Sequence, residues 1–267
     1  MSAMRYQSSG ACRLLQPCVA RFWQVESDGP LADSPGRWAL PDGGSEWVFV
    51  LGDPLMRGPL VHRAGAHAAG IALTASLSRP AGRMRTLGVA FRPGGAAAVL
   101  RQPASELTGR VVPLDSLWGS SGSELVERLA EAPGFEERVG LLQQELLRRL
   151  RPTDGEVAEA VRRLAADPHT RVGRLAGDEA SARRLERKFL VYVGIGPKRL
   201  ARIFRLQRAV RLWATSATTS WAELAAVAGY SDQAHMVREF TELAGTSPTR
   251  IGTRAGRMSD FFNTEPS

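Results

Sequence analysis

From Cys12 to Gly119 the apolar residues come in short runs, "EWVFVLGDP", "GIALTASLSRP", "TLGVAFRPGG" and "RVVPLDSLWG", each broken by Gly or Pro. Short apolar runs bounded by turn residues read as β-strands. In "FRPGGAAAVLRQ" the chain is expected to leave a strand and enter a short helix at Gly94 and Gly95. A barrel or a sandwich buries such runs most simply, so this half is read as β-rich.

The period then changes. In "SGSELVERLAEA" and "FEERVGLLQQELLRRL" apolar residues recur at three or four, with Phe135, Val139, Leu142, Leu146 and Leu150 on one helical stripe. This helix pair either caps the β-rich half or pairs with a second copy of the chain; capping is the simpler and is preferred. "RPTDG", 151–155, reads as a linker, and everything after it is helical. "EVAEAVRRLAAD" is one amphipathic helix begun by Thr153 or Asp154, and a long helix, "PKRLARIFRLQRAVRLW", starts with Pro197 in its first turn. The pattern predicts an α+β protein of two domains. Residues 1–150 form a β-rich, barrel- or sandwich-like domain with C-terminal helices, 151–258 an all-α domain, and 259–267 a flexible tail.

Inside the helical part a unit repeats. Ser181, Leu185, Arg187 and Phe189 correspond to Asp232, Met236, Arg238 and Phe240, and Gly194, Pro197 and Arg199 to Gly245, Pro248 and Arg250, every pair 51 residues apart. Ser181 and Asp232 carry oxygens suited to cap a helix. Leu185/Phe189 and Met236/Phe240 lie four apart, on one face that can pack inward. Gly194 and Gly245 suit the left-handed residue that ends a helix. Before the second copy, "WAELAAVAGYS" places small Ala225 and Ala228 and then Gly229 in a tight turn, which is helix-turn-helix grammar. The second helix of such a unit projects its outer flank, here Gln233, His235 and Arg238, toward a major groove.

Charge follows the same division. The chain carries a net charge of +8, of which residues 1–150 hold +2, 151–258 hold +8 and the tail −2. A basic excess confined to the repeat-bearing part fits a polyanionic partner. With only two lysines among 35 basic residues, an arginine-rich composition accounts for part of that excess. No apolar run approaches the ~18 residues of a membrane span. "MSAMRYQSSGACRLL" has no long apolar core of a signal peptide. The expected location is the cytoplasm, with nucleoid association when DNA is bound, and no membrane partner is expected.

The repeat resembles the C-terminal DNA-binding domain of AraC/XylS-family transcription regulators. "GYSDQAHMVREFTELAGTSPTRI" is close to that family's second helix-turn-helix signature, and "SARRLERKFLVYVGIGPKRLARIFRLQRAV" to its first recognition helix and linking helix. The resemblance covers about Asp154 to Arg254 and implies two helix-turn-helix units joined by a long helix, set into successive major grooves of double-stranded promoter DNA. It implies base contacts from Arg183, Glu186 and Arg187 in the first unit and from Gln233, Ala234, His235, Val237 and Arg238 in the second. Arg184, Lys198 and Arg199 become phosphate contacts. "VGRLAGDEAS" departs from the family pattern: the turn Gly two before Ser181 is missing and the segment is one residue short, which predicts a shifted first turn. "ALPDGGSEWVFVLGDP", "LGVAFRPGGAAAVL" and "LTGRVVPLDSLWG" resemble, less specifically, the family's β-rich regulatory domain. That implies a cupin-like module for effector sensing or dimerisation. RNA polymerase, a small-molecule effector and a second copy of the chain are the further partners the resemblance admits.

The competing reading is a β-domain metal or small-molecule enzyme carrying a DNA-targeting module. His62 and His67 in "VHRAGAHAAG" lack the HxH pair and following Glu of a metal-binding cupin and read as turn or surface residues, while His169 has no evident partner. Cys12 and Cys18, with five residues between them, fit neither a zinc knuckle nor a disulfide framework. No phosphate-binding glycine loop or nucleophile elbow is present. Trp23, Trp38, Trp47 and Trp118 suit a pocket lining, though packing is the commoner use of aromatic residues in a small β core. No catalytic residue, metal or cofactor is therefore expected, and the effector site is left unassigned.

Overall fold

The structure is a computed structural model and describes residues 4–31, 36–57, 60–167, 170, 173–215 and 220–247. His169, Pro248, Arg250 and the tail lie outside the described residues. The apolar runs become antiparallel strands: β1 Met4–Ser9, β2 Val19–Pro30, β3 Arg37–Ala39, β4 Glu46–Val50, β5 Leu55–Arg57, β6 Leu60–His62, β7 Gly65–Ala69, β8 Ser76–Pro80, β9 Arg83–Phe91 and β10 Val111–Pro113. Six of them form a sheet ordered β1-β2-β9-β4-β7-β10, and the other four a sheet ordered β3-β8-β5-β6. "FRPGG" leaves β9 through Gly94, at φ +81°, into a 3-10 turn over Gly95–Ala98, as expected.

Side chains alternate across a strand, and the parity here separates two environments. Phe22, Trp47, Phe49, Leu87, Val89 and Phe91 face outward from the large sheet into a core shared with α1 (Asp115–Trp118), α2 (Ser121–Glu131) and α3 (Phe135–Arg149). Leu125, Leu129, Phe135, Val139, Leu142 and Leu146 supply the helical side of that core, so the helix pair does cap the sheet. Buried Arg138 ties it down, donating to the carbonyls of Leu129 and Ala132 and to Gln24 and Glu26 on β2. The opposite parity, with Arg21, Trp23 and Val48 among it, faces a cavity of about 260 Å³ between the sheets.

The run "GIALTASLSRP" behaves differently from a single strand. Only Ser76–Pro80 pairs; Gly70 donates to the Arg110 carbonyl, and Ala75 donates to the carbonyl of Leu243 in the helical half. A Cβ at Gly70 would stand 2.0 Å from the Leu107 oxygen, so the glycine lets the chain press against that turn and swing away from the sheet. Ile71 is thereby delivered to the other core.

That other core belongs to α4 (Gly155–Ala166), α5 (Gly173–Ala176), α6 (Glu179–Tyr192), α7 (Pro197–Thr215), α8 (Trp221–Ala228) and α9 (Gln233–Ala244). Asp154 caps α4, accepting from the Val157 N–H, and Pro197 opens α7. Leu164, Leu185, Phe189, Leu200, Ile203 and Met236 are fully buried here, together with Leu40 and Ile71 from the β-rich half. The two halves thus share apolar packing as well as polar ties. Thr108 Oγ1 donates to the Gly194 carbonyl at 2.7 Å, and Gln207 Nε2 to the Pro41 carbonyl at 2.7 Å.

Candidate nucleic-acid interface and the cavity between the sheets

The second helix-turn-helix unit is built as the sequence reads. Ser220 caps α8, and its last turn closes on Gly229, at φ +103°, whose N–H reaches back to the carbonyls of Ala225 and Ala226. Ala225 and Ala228 are fully buried, which lets α9 cross α8 closely. Asp232 caps α9, its Oδ1 accepting from the His235 N–H at 2.7 Å; that bond, with the one from Ser231, holds its carboxyl below the usual range. Met236, Phe240 and Leu243 are buried, while Gln233, Ala234 and Arg238 are exposed and Val237 is half-buried. His235 is turned back: Nδ1 lies 3.1 Å from Ser231 Oγ and Nε2 3.4 Å from Glu239.

A fastening the sequence reading missed holds α9 to α7. Glu239 is buried and accepts from Arg202 Nε at 2.9 Å and from Arg205 Nη2 at 2.9 Å, while Arg202 also reaches Glu242. The signal was present: Arg202/Arg205 and Glu239/Glu242 share an i, i+3 spacing, so two helix faces could be matched by charge.

The first unit begins differently. α6 starts at Glu179 and is capped by Asp178, which accepts both the N–H and the hydroxyl of Ser181. Ser181 is therefore a first-turn residue, and the expected capping role passes to the residue three before it. The short segment before the helix explains this: Gly177, at φ +74°, makes the turn directly ahead of the cap, so the helix gains a turn at its N-terminus compared with α9. Leu185 and Phe189 are fully buried, and Arg183, Arg184, Glu186 and Arg187 are exposed. Lys188 Nζ bridges Asp154 at 2.7 Å and Glu156 at 2.8 Å, locking α6 to α4, and those bonds push its ammonium above the usual range. Arg183 pairs with Glu179 and Arg184 with half-buried Glu156; the two arginines are exposed, where such pairs exchange readily for other anions. Gly194 and Gly245 both take positive φ and end α6 and α9. Lys198 is exposed and Arg199 half-buried at the start of α7.

The cavity gathers residues assigned to other places. His62 and His67, expected in a turn or on the surface, lie on β6 and β7 with ring centroids 4.8 Å apart, and His62 is 6% exposed. The chain crosses from the small sheet to the large one in the two residues after His62, which turns both rings inward. Of the tryptophans, Trp47 and Trp118 pack edge to face at 5.0 Å, Trp38 packs against the helical core, and Trp23 lines the cavity. Among the described residues no group of three or more His, Cys, Asp or Glu is placed to hold a metal ion.

Burial, with His67 and Arg57 nearby, pushes the His62 imidazolium down to about 4. An unfolded chain would titrate this ring near ~6.5, so between those values the unfolded state binds more protons. Stability should therefore fall as the pH drops through that window, and His62→Gln should flatten this part of the profile in urea melts. An unchanged slope in the variant would remove His62 as its source.

Residues 179–254 match a family of helix-turn-helix domains. The C-terminal domain is of the AraC type. The chain is accordingly a DNA-binding transcription regulator. Residues 9–113 match a domain of unknown function (DUF6597). No curated protein matches the chain in sequence. Two solved structures of ToxT from Vibrio cholerae superpose on it along 98% of this chain and 99% of theirs. One has a TM-score of 0.49 at 8% identity and the other 0.45 at 9%. Among the described residues no helix is long and apolar enough to cross a membrane. In the AraC-type domain the residues brought onto exposed flanks are Arg183, Glu186 and Arg187 on α6 and Gln233, Ala234 and Arg238 on α9.

Proposed function

We propose that this regulator reads a specific promoter sequence by laying α6 and α9 in successive major grooves of one DNA face. The observation that carries the reading is the split character of α9: Met236, Phe240 and Leu243 fasten it, and Gln233 and Arg238 stand free on its outer side. α7, at 19 residues, is about 28 Å long, which suits two helices one DNA turn, ~34 Å, apart. Arg183, Glu186 and Arg187 on α6, and Gln233, Ala234, Val237 and Arg238 on α9, are the proposed base-facing residues. Arg184, Lys198, Arg199 and the helix N-termini take phosphates, which position the protein without selecting sequence. For His235 the proposed part is different: with Ser231 and Glu239 at its nitrogens, it steadies the start of α9.

Arginine pairs bidentately with guanine and glutamine with adenine. Arg238→Ala should weaken binding to the cognate site by ~1–3 kcal/mol and relax selectivity at one position, with little change on random DNA. Equal losses on both DNAs in gel-shift titrations would make Arg238 a phosphate contact. Footprinting on the DNA upstream of the protein's own coding region tests the whole reading. Two protected patches one turn apart on the same face are expected; a single patch would leave α6 without its role. The reading assigns control to residues 1–150 and DNA binding to 151–258, in the cytoplasm, with a small-molecule effector, a second copy and RNA polymerase as further partners.

A further inference from the structure

The interior of the β-rich half holds polar groups whose partners are missing. Arg21 and Trp23 stand two apart on β2 and point to the same side, into the cavity. Among the described residues the side chain of Arg21 makes no hydrogen bond or ion pair, and its Nε is buried. The indole N–H of Trp23 is likewise buried and without an acceptor. Trp23 is seated firmly: a Cβ at Gly88 on the neighbouring strand would come within 2.2 Å of its ring, so the glycine makes room for the indole against the sheet. From the facing sheet His62 adds a third buried, unpartnered nitrogen, Nε2, and its ring is held neutral over the physiological range.

Leaving a guanidinium Nε, an indole N–H and an imidazole nitrogen buried without partners is costly, and native interiors rarely tolerate several such groups in one place. The charge inventory shows what would satisfy them. Among the described residues the cavity wall carries two guanidinium groups, Arg21 and Arg57, against one carboxylate, Glu46. Glu46 is already engaged with Arg57 at 3.6 Å, and Arg57 Nε donates to Ser76 Oγ at 3.0 Å. Among the described lining residues one positive charge is left over, at Arg21. The remaining wall is mostly apolar, with Val25, Val48, Leu55, Met84, Val111 and the face of Trp23, and Tyr6, Ser78 and Thr86 add polar atoms at its edges. A space of about 260 Å³ lies just under the usual ~300–1,000 Å³ of small-molecule sites and is too small for a peptide or a nucleotide with its phosphates.

We infer that this cavity binds a compact monocarboxylate with an apolar body, its carboxylate received by Arg21 and the Trp23 N–H and its hydrocarbon or aromatic part packed between the sheets. A carboxylate is the group that fits: it accepts from both donors at once, neutralises Arg21, and loses less on entering an apolar space than a doubly charged phosphate does. His62, as a neutral ring, can donate Nε2–H to the second oxygen or to a polar substituent. The inference names the ligand class for the effector control given above, and it stands or falls without DNA.

The test uses the full-length protein and three probes of nearly equal shape: 3-phenylpropanoate, 3-phenylpropanamide and 3-phenylpropylamine. Calorimetric titration should show the acid binding about tenfold or more tightly than the amide, with the amine showing no heat of binding. In Arg21→Met, which keeps the length of the side chain and removes its charge, the preference of acid over amide should shrink to within about twofold. Trp23→Phe, a milder change, should weaken the acid and leave the amide nearly untouched. The inference is overturned if the acid fails to bind at millimolar concentration, if amide or amine binds as well as the acid, or if Arg21→Met keeps the preference. Footprinting in the absence of probe reports on DNA reading separately, so a failed titration leaves the DNA-binding reading standing and a failed footprint leaves the cavity result intact.

Discussion

Phe189→Ala should lower folding stability by about 3–5 kcal/mol, the range found when a fully buried aromatic ring is deleted and its surroundings cannot collapse into the space. Phe189 has no exposed surface and lies on the inner side of α6 among Leu185, Leu164 and Leu200. The end of the same helix is clamped as well: a Cβ at Gly194 would lie 2.6 Å from Thr108 Oγ1, and Thr108 bonds the Gly194 carbonyl. Little relaxation is available, which places the expected loss in the upper part of the range. Urea denaturation followed by far-ultraviolet dichroism and by tryptophan fluorescence measures it. The two probes should move together, because Leu40 and Ile71 of the β-rich half belong to the same core. A loss below about 1 kcal/mol would mean that the ring is not packed as described.

Glu239→Ala should be the second costly change, at about 2–3 kcal/mol. Truncation removes the buried carboxylate between Arg202 and Arg205, whose side chains are 22% and 16% exposed, although Arg202 keeps Glu242. The full cost of breaking a buried pair is tempered here by that residual access to water. Glu242 offers the contrast. It meets the same Arg202 but is 59% exposed, so Glu242→Ala should cost under about 1 kcal/mol. Specific DNA binding should follow the same order, since Glu239 joins α9, proposed to read DNA, to α7. Equal effects from the two substitutions in paired melts and gel shifts would refute the fastening role.

The sequence made some of this legible and concealed the rest for definable reasons. Helix periodicity, the glycine stops at Gly194 and Gly245 and the fixed offset between the two units are local signals, and the structure has each of them. The capping of the large sheet by 121–149 was also readable, since one apolar stripe needs one apolar partner. The start of α6 was misplaced because Ser181 and Asp178 both bear capping oxygens. What decides between them is the left-handed Gly177, a matter of turn length rather than of residue type. The two histidines were misplaced for a similar reason: a two-residue crossing from one sheet to the other has no composition signature, yet it reverses which side the rings face. Arg21 was invisible as a site residue. An arginine in an alternating run reads as solvent-facing, and only the closure of the second sheet over it turns that side into an interior.

The segment from Gly36 to Gly43 runs from the cavity to the helical half. Gly36 and Ala39 line the cavity; Leu40 enters the helical core; the Pro41 carbonyl takes Gln207 of α7. Gly43, at φ +88°, lies so close beneath α7 that a Cβ would meet Leu200 at 2.8 Å. Because α7 lies between α6 and α9, the cavity and the proposed DNA face are mechanically contiguous. Thermodynamic reciprocity then binds them in both directions: whatever factor an occupant of the cavity imposes on operator affinity, the operator must impose on the occupant.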